Sequence, residues 1–581
     1  MGDKQKVTLM NKELNIKIAG AAGQGMQTLG FILGKVLTRS GYHVFAIQDN
    51  ESRIRGGHNF FQLRISEKAV FSMTSLVDIL IALNENAFTA HQEELSERGA
   101  IIFDDEKIKV KPTKVHSAGT PLEHLALKNG GDIIYSNSVA LGVAIGILKL
   151  DCVSLDNLLR DFFSHKKEIA EANSHAAHAG YDYALRHFQY KSLILPPRNP
   201  SQKIFINGHE AIALGALAAG CQFISAYPMS PATSILTYLA GKADEFNMVV
   251  EQAEDEIAAI NMAIGASFSG VRAMTATSGG GFSLMVESLG LAGISETPLV
   301  VVNAQRPGPA TGLPTRTEQG DLRFALHASQ GEFPRIILAP ATAREAFYLT
   351  IKAFHLADKY QVPVIILTDQ YLADSFYTEE RFDLSQIKVN RFFPSKKELN
   401  DQKPYLRYRF TATGVSPRIP PSWEEMETIA DSHEHGEDGH ITEDALIRSK
   451  MVEKRFKKLE EISQEMSPPL SIGSDKADLL VIGWGSIYGI LKEATEYLIN
   501  EGISIKMMHL QEIWPFPKKQ VIAQIDKVKK WVVIENNYTS QLAGIIQEHT
   551  CRKPGGSIVK YDGRPFFFEE VLKSLKKEAA A

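Results

Sequence analysis

Between Gln222 and Asp369 the sequence repeats one unit six times, a short β-branched run followed by a helical pattern. The runs are Gln222–Tyr227, Met248–Glu251, Val271–Thr277, Pro298–Ala304, Arg335–Ala339 and Val362–Thr368. Strands separated by helices are joined by crossovers, so the repeat predicts a parallel, doubly wound sheet. Such sheets place ligands outside the carboxyl ends of their strands. Tyr227-Pro-Met-Ser-Pro231, Glu251–Glu256, Thr277-Ser-Gly-Gly-Gly-Phe-Ser283 and Gln305–Asp321 all fall there. The pattern predicts one functional rim on one sheet.

Two further α/β segments flank this core, so the expected fold class is α/β with three domains. Residues 14–190 open with strand Asn15–Ala19, the turn Gly20-Ala-Ala-Gly-Gln-Gly25 and helix Met26–Thr38. Strands follow at Tyr42–Ala46, Asn59–Ile65, Val77–Leu83 and Ala100–Phe103, a Rossmann-like order. Residues 191–202 form a proline-stiffened linker, and 203–390 hold the six-unit sheet. Residues 391–475 are a polar linker segment with a charged helix at Arg448–Glu465. Residues 476–577 repeat βα units with strands at Asp478–Gly483, Ile503–His509, Lys530–Glu535 and Ser557–Lys560.

Composition excludes some function classes. A net charge of −5 gives no basis for nucleic-acid binding, which takes a basic stripe. The longest uncharged apolar stretches, Ser138–Leu148 and Ala211–Ala226, are too short or too glycine-broken to span a bilayer. The start, Met-Gly-Asp-Lys-Gln-Lys, lacks an apolar signal region, so a cytoplasmic location is expected. The chain has three cysteines, Cys152, Cys221 and Cys551, and no Cys-x-x-Cys. An iron–sulfur cluster takes several thiolates at short spacing, so these read as small buried hydrophobes.

The turn Gly20–Gly25 follows a strand and opens a helix, an arrangement that suits an anion. Its glycines fall at positions 1, 4 and 6, unlike the dinucleotide fingerprint, although Asp49 lies 24 residues past Gly25, where a ribose-binding acid would sit. Arg53 and Arg55, in Ser52-Arg-Ile-Arg-Gly-Gly-His58, add guanidinium groups suited to phosphates. The acidic run Glu251–Glu256 opens a helix, where carboxylates complement the dipole; four within six residues leave one for proton chemistry. The three glycines at 279–281 make either a plain turn or a close approach for a ligand or subunit. Arg306 starts a connection of nearly 30 residues, long enough to be functional, and suits a substrate carboxylate. His433, His435 and His440 lie in a polar stretch and read as a solvated loop rather than a metal site. His175 and His178 share a helix face and read as structural.

These motifs together resemble the α subunit of thiamine-diphosphate-dependent 2-oxoacid:ferredoxin oxidoreductases, in the form with a γ domain fused at its N-terminus. Gly20–Gly25 through Arg53-Ile-Arg-Gly-Gly57 looks like that γ domain. Gly208-His-Glu-Ala-Ile-Ala-Leu-Gly215, Tyr227–Pro231, Glu254-Asp-Glu256, Thr275-Ala-Thr-Ser-Gly279 and Gly312-Leu-Pro-Thr-Arg-Thr-Glu-Gln-Gly-Asp321 look like the thiamine pyrimidine-binding domain. Val415-Ser-Pro-Arg418 and Met451–Leu459 look like the family's linker, and 476–577 is similar to a transketolase C-terminal-like domain. The resemblance implies that Glu256 donates to N1′ of the cofactor and that Arg306 binds the 2-oxoacid with hydroxyls from Ser230 and Thr315. It implies cofactor contacts at Tyr227, Pro228 and Glu256, and phosphate or coenzyme A contacts at Gly20, Gly23, Gly25, Arg53 and Arg55. The family's usual Tyr-Pro-Ile-Thr-Pro is changed here at Met229 and Ser230, and its common His-Gly-Glu reads Gln330-Gly-Glu.

No Gly-Asp-Gly of a magnesium–diphosphate site occurs. The resemblance then implies a β subunit carrying diphosphate, Mg2+ and a [4Fe–4S] cluster, with ferredoxin as acceptor and an (αβ)2 heterotetramer. The implied reaction is coenzyme A-dependent oxidative decarboxylation of a 2-oxoacid to acyl-CoA and CO2, reversible, of 2-oxoglutarate synthase type; pyruvate, branched 2-oxoacids and indolepyruvate stay open beside 2-oxoglutarate. Two alternatives are a non-catalytic coenzyme A- or partner-binding subunit and a Rossmann-type NAD dehydrogenase. The divided-site reading predicts that the isolated chain is colourless and inactive. Iron and sulfide analysis checks this, and stoichiometric iron with a visible charge-transfer band would overturn it.

Overall fold

The computed structural model describes residues 13–52, 56–109, 115–401, 403–421, 423 and 426–581. They divide into two compact units. The first comprises the chain to Ile206 with Asp374–Arg381 and Phe567–Glu570. Its strands are β1 (Leu14–Ala22), β2 (His43–Asp49), β3 (Gly56–Ser66), β4 (Val77–Ala82), β5 (Leu95–Asp104), β6 (His116–Thr120) and β7 (Ile204–Asn207). An eighth, β14 (Phe376–Glu379), arrives from far along the chain, and the order is β6-β5-β4-β1-β3-β2-β14-β7. β14 lies antiparallel to β2, and Thr378 Oγ1 accepts from the Val44 amide at 2.9 Å. β3 stands antiparallel between β1 and β2. In a dinucleotide-binding fold the ribose acid ends the strand beside the first one. Here Asp49 is one strand further away, and this geometry disfavours a dehydrogenase site.

In the second unit, β8 (Phe223–Ala226), β9 (Val249–Gln252), β10 (Ala273–Thr277), β11 (Leu299–Gln305), β12 (Ile336–Leu338) and β13 (Pro363–Asp369) realise the six expected strands. The order is β18-β12-β13-β11-β10-β8-β9, and neighbours among the six pair in parallel. β13, Pro-Val-Ile-Ile-Leu-Thr-Asp, is buried throughout, as a strand covered on both faces must be. A third sheet, ordered β15-β17-β16-β19-β20, uses β15 (Leu470–Gly473), β16 (Leu479–Trp484), β17 (Ile505–Leu510), β19 (Lys530–Glu535) and β20 (Gly556–Val559). The remaining strand, β18 (Glu512–Trp514), crosses to the six-stranded sheet and runs antiparallel to β12. Val301, Ile337 and Ile365 of one sheet share an apolar core with Ile482, Met508 and Val533 of the other.

Buried charge fastens residues 391–475 onto this second unit. Glu296, fully buried, pairs with Lys454 at 2.5 Å and with Lys458, both on helix Ala445–Glu465. The two ammonium groups hold its carboxyl well below the usual carboxylate range, against the pull of burial. Asp358 receives Arg272 at 2.8 Å, Arg391 at 2.9 Å and Arg418 at 3.0 Å. In the histidine-bearing stretch His433 and His440 are exposed, as the solvated-loop reading expects, but His435 is not. His435 is buried against the Tyr408 ring, centroids 3.9 Å apart, and Glu434 pairs with Arg455 at 2.6 Å. His178 bonds Asp156 at 2.6 Å, a carboxylate from the preceding helix Cys152–Phe162. Cys152 and Cys221 are buried as expected, whereas Cys551 is exposed.

Removing one partner of a buried ion cluster leaves an uncompensated charge, which costs about 3–5 kcal/mol. Glu296→Gln is therefore expected to lower unfolding stability by about that amount at neutral pH. Because Glu296 titrates below its unfolded value, the stabilisation is present at neutral pH and lost as acid protonates the folded carboxylate. Urea unfolding of wild type and variant at pH 7, and at a series of pH values running below the ordinary carboxylate range, measures both.

Candidate active site

The carboxyl ends of β8, β9, β10 and β11 stand side by side, since β11, β10, β8 and β9 are consecutive in the sheet. Their loops carry Tyr227–Pro231, Gln252–Glu256, Ser278–Ser283 and Arg306–Asp321. The rim expected from the sequence is thus present.

The acidic run sorts by position. Glu251 lies on the edge strand β9 and Glu254 beyond it, both exposed. Asp255 caps helix Glu256–Phe268, its carboxylate accepting from the Ala258 amide at 2.7 Å, so the dipole account belongs to Asp255. Glu256 alone turns inward and is 4% exposed. Its Oε1 is buried with no hydrogen-bond partner, and so are Ser278 Oγ and Asn303 Oδ1 on the adjoining strand ends. Buried polar groups are usually paired, so these three unpaired atoms, close to the carboxyl ends of neighbouring strands, make this rim the candidate place for a polar ligand.

Two of the three glycines at 279–281 make room for carboxylates. A β-carbon on Gly281 would meet Thr277 Oγ1 and come within 2.7 Å of Glu256 Oε1, and one on Gly279 would strike Asp321 Oδ2. Asp321 accepts from Asn303 Nδ2 at 3.2 Å, and burial pushes its carboxyl up. Gly280 faces open space apart from the Ala310 carbonyl at 3.9 Å.

Arg306 follows β11, and its Nη1 donates to the Ser230 carbonyl at 2.6 Å. Arg306 and Ser230 are thereby brought together, with Tyr227 and Pro228 on the same loop as Ser230. Partial burial lowers the pKa of the guanidinium. Thr315 is half-buried in the turn closed by the Arg316 amide on the Leu313 carbonyl, 3.1 Å. No hydrogen bond joins Glu256 to Arg306 or Thr315 among the described residues. Sequence reasoning missed Gln319, which anchors the far end of this connection on Trp484 and Asn536 of the third sheet's region. The Glu535-Asn-Asn537 run at the end of strand β19 was its available signal.

In the first unit, Gly23 and Gly25 take positive φ of 91° and 77° in the turn between β1 and helix Met26–Arg39. The turn is braced internally. Gln24 Oε1 accepts from the Ala21 amide at 2.7 Å and from Asn84 Nδ2 at 2.6 Å. A cavity of about 570 Å³ adjoins it, lined by Gly23, Gln24, Gly25, Asn84, Lys107 and Asn137. Gly20 lies in β1 opposite Asn59 rather than in the turn, and a β-carbon on it would meet Gln24 Oε1 at 2.8 Å and Leu83. Arg53 and Arg55 lie outside the described residues. No group of three or more potential metal ligands converges among the described residues.

Three family models match: "Pyruvate ferredoxin/flavodoxin oxidoreductase" over residues 15–183, "Pyruvate flavodoxin/ferredoxin oxidoreductase, thiamine diP-bdg" over 214–454, and "Pyruvate:ferredoxin oxidoreductase core domain II" over 477–571. A 2-oxoacid:ferredoxin oxidoreductase subunit alpha from a Sulfolobus species is 34% identical, the match covering 96% of each chain. The chain belongs to the 2-oxoacid:ferredoxin oxidoreductase family. The 2-oxoglutarate oxidoreductase subunit KorA of Mycobacterium tuberculosis is 32% identical over 97% of this chain and 91% of its own. The solved 2-oxoglutarate:ferredoxin oxidoreductase of Magnetococcus marinus, with 2-oxoglutarate, coenzyme A and succinyl-CoA bound, is also similar. Its TM-score is 0.91 at 32% identity, covering 98% of this chain and 100% of that one.

In this oxidoreductase, Gly281→Ala is expected to displace Glu256 and abolish most activity, although alanine favours helices. Gly280→Ala, one residue away in open space, is expected to retain activity and gain about 0.5–1 kcal/mol of stability. Paired activity and thermal-melt measurements on the two variants check the contrast.

Proposed function

We propose that this chain supplies the aminopyrimidine half of a thiamine diphosphate site and the carboxylate anchor for a 2-oxoacid, with 2-oxoglutarate favoured. The buried, unpartnered Oε1 of Glu256 carries the reading. A carboxyl group kept from other partners on a ligand-facing rim suits a heterocycle nitrogen that must gain and lose a proton. Glu256 would hold a proton at N1′, with Tyr227 and Pro228 lining the neighbouring loop. The bound cofactor supplies the carbon nucleophile that accepts the 2-oxoacid and releases CO2. Arg306 would pair with the substrate carboxylate, with Ser230 and Thr315 offering hydroxyls. The 2-oxoglutarate preference rests on the KorA and Magnetococcus marinus relatives, whose names specify that acid.

The diphosphate, Mg2+ and a [4Fe–4S] cluster would come from a β subunit, in an (αβ)2 assembly that reduces ferredoxin. Ile257 and Met262 on helix Glu256–Phe268 and Leu284 on helix Gly279–Ile294 are 50%, 43% and 52% exposed. Exposed apolar side chains on the helices that flank Glu256 suit a subunit interface there. Coenzyme A is assigned to the first unit, at Gly20, Gly23 and Gly25 beside the 570 Å³ cavity, with Arg53 and Arg55.

Two variants of the assembled enzyme test the roles. Glu256→Gln keeps the shape but not the acid, and a fall in activity of about 10²–10⁴-fold is expected. Exchange of the cofactor's C2 proton, followed by NMR after acid quench, isolates that step; wild-type exchange would remove Glu256 from it. Arg306→Ala is expected to cost about 2–5 kcal/mol in kcat/KM for the 2-oxoacid, as truncated charge pairs do, with thiamine diphosphate affinity little changed. Unaltered kcat/KM with weakened cofactor binding would assign Arg306 to the cofactor.

A further inference from the structure

We propose that His209 is a positioning residue for the 2-oxoacid site, acting through Ser234 on the loop that presents Ser230; the inference rests on the substrate role given to that loop. His209 follows Gly208 at the start of helix Gly208–Ala218, is fully buried, and makes no contact that the proposed chemistry uses. Its Nδ1 lies 2.9 Å from Ser234 Oγ, and Ser234 Oγ donates to the Pro231 carbonyl at 3.2 Å. A serine hydroxyl has one proton, and a carbonyl can only accept. The Ser234 proton is thus committed to Pro231, and Nδ1 of His209 must donate. Nε2 is then left bare, and it is indeed buried without a partner.

The relay completes a set. The Met229 carbonyl accepts from the Thr233 amide at 3.2 Å, the Ser230 carbonyl from Arg306 at 2.6 Å, and the Pro231 carbonyl from Ser234. Three consecutive carbonyls are fixed, which sets the backbone from which the Ser230 hydroxyl projects. Burial holds the imidazole neutral, its pKa pushed down to about 3, so the donor does not change across the working pH range.

Asparagine places its amide nitrogen where histidine has Nδ1, whereas the glutamine nitrogen falls nearer Nε2. In the assembled enzyme, His209→Gln and His209→Phe are expected to raise KM for 2-oxoglutarate about tenfold. Kcat and thiamine diphosphate affinity should change less than twofold, and His209→Asn should restore the wild-type KM. Ser234→Ala, at an exposed position that does not threaten folding, is expected to reproduce the rise in KM. Equal KM values for the Asn and Gln variants, or a wild-type KM for Ser234→Ala, would overturn the proposal. Arg306→Ala measured alongside separates the two levels. If it raises KM while Ser234→Ala does not, only the positioning role falls; if neither does, the substrate reading of the loop falls with it.

Discussion

The site depends on one buried amide, that of Gln319. All its polar groups are used: its N–H donates to the Asn536 carbonyl at 2.7 Å, and Oε1 accepts from the Asn536 amide at 3.1 Å. Nε2 donates to the Trp484 carbonyl at 2.9 Å, and its own carbonyl accepts from Asn537 Nδ2 at 3.1 Å. Behind these partners stands Glu535, fully buried, whose carboxylate takes donors from Trp484, Asn537, Leu542 and Ala543. Satisfied polar networks in a low-dielectric interior are stiff, and each member fixes the others. Between Arg306 and Asp321 the chain forms no helix or strand, so the third sheet's region works as the wall on which it is set.

Buried carboxylates in the second unit fall into two chemical kinds. Glu296 and Asp358 are surrounded by cations, and their work is to hold residues 391–475 in place. Glu256, Asp321 and Asp369 have no ion-pair partner among the described residues. Asp369, at the end of β13, accepts from Ser486 at 2.5 Å, and burial pushes its carboxyl up to about 6. Burial pushes the Asp321 and Asp369 carboxyls up, whereas the two ammonium groups hold that of Glu296 low against the same burial. The distribution of Lys and Arg around them therefore separates the acids that anchor residues 391–475 from those buried without a cation.

What was legible in the sequence follows the range of the forces involved. The six parallel strands could be read because they are local runs followed by helical patterns. β11, β12 and β13 are buried throughout, which demands apolar residues; the edge strand β9 is exposed and was read from its local pattern alone. β18 could not, because Glu512–Trp514 is three residues long and becomes a strand only by pairing with β12, some 175 positions earlier. β14 escaped notice for the same reason, its pairing with β2 being set by tertiary contact. In the acidic run, charge alone left four candidates. Only the turn of helix Glu256–Phe268, with Asp255 spent on the cap, shows that Glu256 points inward. The glycines at 279 and 281 were visible, but their reason was not. They are small because Asp321 and Glu256 lie on them, and that is a property of the packed fold. His435 was misjudged similarly, since a polar neighbourhood in sequence gave no sign of the Tyr408 ring that covers it.

The loop Tyr227–Pro231 shows how such constraints substitute for one another. A threonine at position 230 would restrict its own hydroxyl, because a β-branched side chain is stiff at χ1. Serine lacks the methyl and turns freely, which loosens the group offered to a substrate. The backbone around it is correspondingly well held, with the Met229, Ser230 and Pro231 carbonyls each accepting a hydrogen bond. Arg306 is part of that holding, so its guanidinium is itself oriented by the Ser230 carbonyl it meets. The free rotation at Ser230 is then the single soft coordinate of the anchor, and the missing methyl widens the space beside it. On the proposed reading, an arginine held by the loop with a turning hydroxyl next to it would fix the carboxylate end of a 2-oxoacid and leave discrimination among acids to whatever lines the rest of the substrate's length.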